Sequence, residues 1–232
     1  MTHARMHPAR TGLLVLAVAL ALGACKRADG VPGTPAAEPA PAATTAATPE
    51  AAAAATPEPG SIPVNADNFT RAETDLYLGG IVKDGGFGKF FHHREMTPVD
   101  HQAVIRMNRD TLYSGAVFDL DAGPVTITLP DAGDRFVSMQ VIDEDQYTSQ
   151  VIYTPGPHTL TRDGIGTRYV VAALRMLADP NNAEDVKQVH ALQDAVKVEQ
   201  PGGPGTFEVP KWDAVSQKQV RDALITLAAG LP

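Results

Sequence analysis

Val104-Ile-Arg-Met-Asn-Arg-Asp-Thr-Leu-Tyr-Ser-Gly-Ala-Val-Phe-Asp-Leu120 has the apolar, β-branched and aromatic content of a buried strand pair. Arg106-Met-Asn-Arg-Asp-Thr111 interrupts it with a run dense in hydrogen-bonding groups. Burying such groups costs several kcal/mol unless each finds a partner. The run therefore either satisfies itself internally or faces a ligand. On the first alternative Arg109 or Asp110 is buried, hydrogen-bonded and pins the strand. On the second, the same side chains line a site.

Downstream of this stretch the chain reads as hairpin after hairpin. Leu112–Leu120 is one strand; Val125, Ile127 and Leu129 alternate with Thr126 and Thr128 as a half-buried second. Asp131-Ala-Gly-Asp134 turns into Arg135–Ile142, and Asp143-Glu-Asp-Gln146 turns into Tyr147–Tyr153. Thr154-Pro-Gly-Pro157 and Arg162-Asp-Gly-Ile-Gly166 read as further turns, and Tyr169–Leu177, almost continuously apolar, reads as a central strand. Closely spaced turns of this kind predict an α+β fold with an antiparallel β-sandwich-like or barrel-like sheet of hairpins. Three helices are expected to flank it.

The first helix is expected from a cap at Asn65 or Asp67. Phe69, Ala72, Leu76 and Gly80 form its buried face, Glu73 and Asp75 its polar side, and Gly79-Gly80 its break. Asn181-Asn-Ala-Glu184 resembles a capping box for the second, with Val186, Val189, Leu192 and Val196 as the buried stripe and Pro201-Gly-Gly-Pro-Gly205 after it. Asp213 caps the third, which carries Val220, Leu224 and Leu227.

If the hairpins form a simple meander, successive turns alternate between the ends of the sheet. Asp119, Asp121 and Asp143-Glu-Asp145 then gather at one end, and Asn108-Arg-Asp110, Asp131, Asp134-Arg135 and His158 at the other. The acidic end lacks calcium-loop spacing and reads as solvated turn residues. The mixed end supplies the candidate site. Asn108, Arg109, Arg135 and His158 are its candidate ligand-binding residues, and Arg109, Asp110 and Tyr113 its catalytic candidates.

Other motifs carry less. Gly85-Gly-Phe-Gly-Lys89 has Phe90 where a phosphate loop needs Ser or Thr, and no strand precedes it. His92 and His93 point opposite ways in an extended chain, so with His101 they read as polar loop histidines and no metal site is expected. His190 reads as a surface histidine paired with Asp194. None of the five serines lies in Gly-x-Ser-x-Gly. No cofactor is called for.

Residues 1–24 read as a secretory signal peptide, with Arg5 and Arg10 ahead of a short apolar run from Gly12 to Leu22. Leu22-Gly-Ala-Cys25 resembles a bacterial lipobox, and Cys25, the single cysteine, is the expected lipidation site. With Lys26 rather than Asp after it, the reading is an outer-membrane lipoprotein of a Gram-negative envelope, facing the periplasm. Residues 25–63 hold the lipidated cysteine and a disordered Ala/Pro/Thr-rich linker, which at full polyproline extension reaches roughly 100 Å. The folded domain is expected over 64–200, with a C-terminal loop and helix over 201–232. Removing Arg5 and Arg10 takes the formal charge from −8 to −10, an acidity that argues against nucleic acid as a partner.

Asn68-Phe69, Ile105-Arg-Met-Asn-Arg-Asp-Thr-Leu-Tyr113, Asp119-Leu120, Arg135-Phe-Val-Ser-Met139, Gly166-Thr-Arg-Tyr169, Arg175, Asp185 and Leu192-Gln193 together resemble the bacterial domain of unknown function 1254, over about Asn65 to Gln200. The resemblance implies an α+β domain with a β-sandwich component and brings no established activity. Many members continue into a second β-rich domain; this chain stops near where that domain would start, so a separate chain carrying it is a possible partner.

Two hypotheses follow. One is an envelope lipoprotein whose domain is a binding or interaction module, held to the membrane through its N-terminal lipid. The alternative is a metal-free hydrolase or lyase in which arginines hold a small anionic substrate and a carboxylate of the Arg109/Asp110/Tyr113 region acts as base.

Overall fold

Alternation between apolar and polar residues decides where this chain forms sheets, and the computed structural model describes residues 58–98, 100 and 108–230. The expected signal segment, Cys25, most of the expected linker, His101 and the first part of the Val104–Leu120 stretch lie outside those residues. The elements are α1 (Phe69–Lys83), β1 (Phe91–His92), β2 (Thr111–Asp119), β3 (Val125–Leu129), β4 (Val137–Asp143), β5 (Thr148–Ile152) and β6 (Gly156–Leu160). After them come α2 (Arg162–Ile165), β7 (Tyr169–Leu177), α3 (Ala183–Asp194), β8 (Lys197–Glu199) and α4 (Ala214–Ala228).

Two antiparallel sheets result, with strand orders β1-β2-β7-β4-β5 and β6-β3-β8. The α+β sandwich expectation is met. The barrel alternative is not, because the sheets stay separate, and α2 adds a one-turn helix to the three expected.

The meander is wrong. β3 leaves for the second sheet, and β7 takes the place between β2 and β4. The expected gathering of turns at two ends survives in part. Both β2 and β4 run antiparallel to β7, so Thr111 and Val137 sit at one end, and Asp119 and Asp143 at the other.

Leu112, Ala116 and Phe118 of β2, Val170, Ala172, Leu174 and Met176 of β7 and Val137, Met139 and Val141 of β4 face the core. There they meet Val125, Ile127 and Leu129 of β3. Val189 of α3 enters the same cluster, with Val186 and Leu192 against it, so the stripe read on that helix is the buried one. Phe118 is wholly buried, and its truncation to Ala costs about 3–5 kcal/mol.

On the opposite face of the large sheet, Leu78 of α1 packs on Val117 and Tyr169, with Ile81, Phe207 and Val209 around them. Gly86 lets the chain after α1 run along β2. A Cβ there would lie 2.9 Å from the Gly115 carbonyl oxygen.

The reading of α1 needs three corrections. Its N-cap is Asn68, not Asn65 or Asp67, and Asn68 makes no side-chain cap bond. The helix runs through Gly79-Gly80 and stops at Lys83, before Asp84 and Gly85, whose φ is +96°. Its faces are also turned: Glu73 and Asp75 are buried, while Leu76 is exposed. The carboxylates go inward because their partners come from the far end of the chain. Arg221 and Gln217 of α4 donate to Glu73, and Trp212 donates to Asp75. Asp213 caps α4 by accepting from Ser216 N–H, but Leu224 and Leu227 are left exposed. The linker boundary also shifts: Ile62 donates to the Lys211 carbonyl and accepts from Asp213 N–H, so residues 58–63 are held against the C-terminal segment.

Candidate functional site

The described part of the polar run before β2, Asn108–Asp110, does not pin the strand from within. Arg109 and Asp110 are exposed, which contradicts the expectation of a buried pair. The Arg109 Nε–H donates to the Thr97 carbonyl at 3.0 Å, and the Asp110 carbonyl accepts from Ala178 N–H. The Asn108 Oδ1 accepts the Asp110 backbone N–H at 3.3 Å. Residues 108–110 form an irregular approach to the sheet, and the Asp110 backbone, rather than a charge, ties them to the end of β7.

Arg135 is in place at the same end of the sheet, but it is spoken for. Its guanidinium forks onto both oxygens of Asp185 at 3.0 and 2.5 Å and also donates to the Leu177 carbonyl. The fork holds the Asp185 carboxyl well below its usual range, to about 2, helped by the Asp179 N–H. Arg135 therefore locks α3 to β4 and β7. His158 lies in mid-β6, opposite Ile127, with its Nε2 2.8 Å from the Thr154 carbonyl. No described contact joins it to Arg109, Asp110, Tyr113 or Arg135. The candidate set is thus dispersed, and Tyr113 alone faces something new.

Tyr113 stands on the face of β2 away from the core, and its cross-strand partner on β7 is Arg175. On the other side of β7 the partner of Arg175 is Ser138. Tyr113, Arg175 and Ser138 therefore form a row across three strands, on the same face as Thr111. The Arg175 guanidinium carbon lies 5.6 Å from the centre of the Tyr113 ring, within cation–π range. Arg175 forms no ion pair among the described residues.

Two buried polar atoms on this face lack a hydrogen bond, Arg175 Nε and Thr111 Oγ1. Thr111 pairs with Leu177, which places it one diagonal from Arg175. An unmet buried polar group costs about 1–3 kcal/mol, so two neighbouring ones mark a place where the fold has held back hydrogen-bonding capacity. The exposed Phe136 and Leu177 border the row, and Phe136 leans on Tyr153. The sequence carried one signal for this site, the lone cation inside the apolar run Tyr169–Leu177.

Elsewhere, charges close on each other. Asp119 is buried, which pushes its carboxyl up, but Arg168 and the backbone N–H groups of Thr206 and Asp121 outweigh burial and hold it below its usual value. Arg71 pairs with Glu144 and Asp145, so the expected acidic end is lined with arginines. His92, expected as a loop residue, lies in β1 with Nδ1 2.7 Å from Ser114 Oγ. Burial, with Arg94 next in weight, lowers its pKa. The pair has the contact of a Ser–His dyad, but Ser114 is buried and also accepts from the amide of Gln193, itself fully buried. Arg94 completes this closed network through Gln193 and Asp194, and His190 turns to the Arg94 carbonyl rather than to Asp194.

Residues 87–165 match the family model described as a protein of unknown function, DUF1254. The match runs from Phe87 through β1 to the end of α2 and so takes in Tyr113 and Ser138. It is shorter than the Asn65–Gln200 stretch of the resemblance and stops before Arg175. No curated protein matches. Among solved structures the chain is similar to the crystal structure of the VPA0106 protein from Vibrio parahaemolyticus. The two are 14% identical, with a TM-score of 0.49, over 71% of this chain. The chain spans 57% of the length of that one.

Proposed function

We propose that this chain is an outer-membrane lipoprotein, anchored at Cys25, whose folded domain is a binding module for a small anionic ligand. The observation that carries the ligand reading is the row Tyr113–Arg175–Ser138 with Thr111 beside it. A guanidinium with no carboxylate partner among the described residues and an unbonded hydroxyl share one sheet face. A carboxylate or phosphate presents two oxygens in the geometry that an arginine fork takes, with the tyrosine ring as a stacking wall.

The lipoprotein half rests on Leu22-Gly-Ala-Cys25 and the long Ala/Pro-rich segment behind it. It is tested by Cys25→Ser, which is expected to release the protein from the membrane fraction; retention of the variant there contradicts the anchor. The ligand half is tested by titrating the full chain with citrate, benzoate and inorganic phosphate. A saturable rise in melting temperature that Arg175→Lys reduces and Arg175→Ala removes supports it. A response to none of the three, or one that Arg175→Ala leaves intact, contradicts it.

A further inference from the structure

A second place in the molecule also holds back a charged group, far in sequence from the first. Between α1 and the segment around Trp212 lies a groove of about 470 Å³, lined by Asp75, Leu76, Gly79, Gly80, Val209 and Trp212 among others. That volume is in the range of small-molecule sites. Asp75 is 3% exposed; its Oδ2 accepts the Trp212 indole N–H at 2.7 Å, while its Oδ1 is buried and unbonded. Glu73, two residues earlier, shows that this helix can satisfy a buried carboxylate fully, through Arg221 and Gln217. Asp75 has been left half-satisfied.

The glycines add an independent observation. Gly79 and Gly80 lie inside α1, where each costs up to about 1 kcal/mol relative to alanine. Neither adopts a positive φ. A Cβ on Gly80 would meet nothing within 4 Å, and one on Gly79 only the edge of Phe207 at 4.0 Å. The packing of the domain does not require either glycine. What their missing side chains do is keep the groove open along the helix, one turn beyond Asp75.

From the unbonded Asp75 oxygen, the indole of Trp212 and the open apolar floor, we infer that this groove binds a small primary amine with an apolar arm. The ammonium donates to Asp75 Oδ1 beside the indole, a setting that suits a cation. The arm lies along Gly79, Gly80, Leu76 and Val209. The one lining cation, Lys83, is eight residues along α1 from Asp75, roughly 12 Å by helix rise, so it borders the arm's end of the groove. Of the other charges near Asp75, Arg71 is engaged by Glu144 and Asp145, and Glu144 also accepts the Tyr169 N–H. Burial, with Glu144 nearby, pushes the Asp75 carboxyl up against the Trp212 hydrogen bond and Arg71, and an incoming ammonium favours its charged form. This site is separate from the anion site at Arg175 and does not depend on it.

Trp212 is the single tryptophan, so its indole N–H signal and fluorescence report on the groove alone. Titrating the full chain with n-hexylammonium is expected to move that signal saturably, while 1-hexanol and hexanoate give no saturating change. Asp75→Asn keeps the shape and is expected to weaken the amine about tenfold or more. Gly80→Leu fills the open space, and with an unchanged indole signal before ligand it is expected to abolish binding. The inference is overturned if wild-type protein gives no saturating response to the amine, or if hexanol or hexanoate binds as tightly. It is also overturned if either variant binds the amine like wild type. Should Asp75→Asn fail to fold, Gly80→Leu and the two uncharged or anionic probes still decide.

Discussion

Arg135 and Arg175 stand at the same end of the same sheet, on or beside neighbouring strands, and their surroundings are opposite. Arg135 has both oxygens of Asp185 and a backbone carbonyl. Arg175 has the face of a tyrosine and an unbonded Nε. Asp185 is within reach of one arginine because α3 caps over β4 at that corner. Among the described residues, no helix supplies a carboxylate to the neighbouring row on the outer face. A fold that can pair an arginine so fully and leaves the next one unpaired separates structural charge from available charge. Glu73 and Asp75 on α1 repeat the contrast with the sign reversed.

The largest expected effect is on the paired side of this comparison. Arg135→Ala leaves Asp185 and the end of α3 without their tie, and is expected to lower the melting temperature by about 5 °C or more. Arg175→Ala is expected to change it by no more than about 2 °C, since no pair is broken. Thermal melts of the two variants side by side check this. Equal losses would mean that Arg175 is structural and that the contrast is false.

How much of this was legible beforehand depends on how far away the deciding partner lies. β2, β3 and β7 could be read because alternation and apolar content are local properties, and α3 because its cap and stripe are. Gly156 and Pro157 make the start of β6 look like part of a turn. β6 is an edge strand of the small sheet, where a proline's missing N–H costs no ladder bond. β8, at Lys197–Glu199, is too short to show a period. The inward turn of Glu73 and Asp75 was not legible, because their partners lie 137 to 148 residues downstream. The site suffered the same way. Arg109 and Asp110 looked expensive beside a strand, but an irregular approach keeps them in water. Tyr113 was found by its neighbours in sequence, and Arg175 and Thr111 become a site only once β7 is known to pair with β2.

The contrast on α1 sharpens through pH. Burial raises the folded pKa of Asp75 above its ordinary 3.8, so the folded state binds more protons than the unfolded chain in that window. Stability therefore falls as pH rises from about 4 through the folded pKa. Asp75→Asn is expected to remove that fall and to melt higher than wild type near neutral pH, with little difference below the ordinary value. The same comparison at Glu73, whose partners outweigh burial and lower its pKa, has the opposite sign. Glu73→Gln is expected to lose its stability relative to wild type above pH about 4. Melting curves across pH for both variants check the two signs; like signs would break the contrast.

The smallest effect is expected at Asp110. Its carboxylate is exposed, and Asp110→Ala is expected to shift stability by no more than about 0.5 kcal/mol, measured by denaturant unfolding. A loss several times larger would restore the polar run before β2 to the structural role that its sequence suggested.

The central claim is that Arg175 is kept for a ligand. Its most direct test is the melting temperature of wild type and Arg175→Ala, each without ligand and with increasing citrate. The account predicts melting within about 2 °C of each other without ligand, a rise in wild type that grows logarithmically with concentration, and a flat line for the variant. A variant that already melts well below wild type without ligand, together with no citrate-dependent rise in wild type, would contradict it.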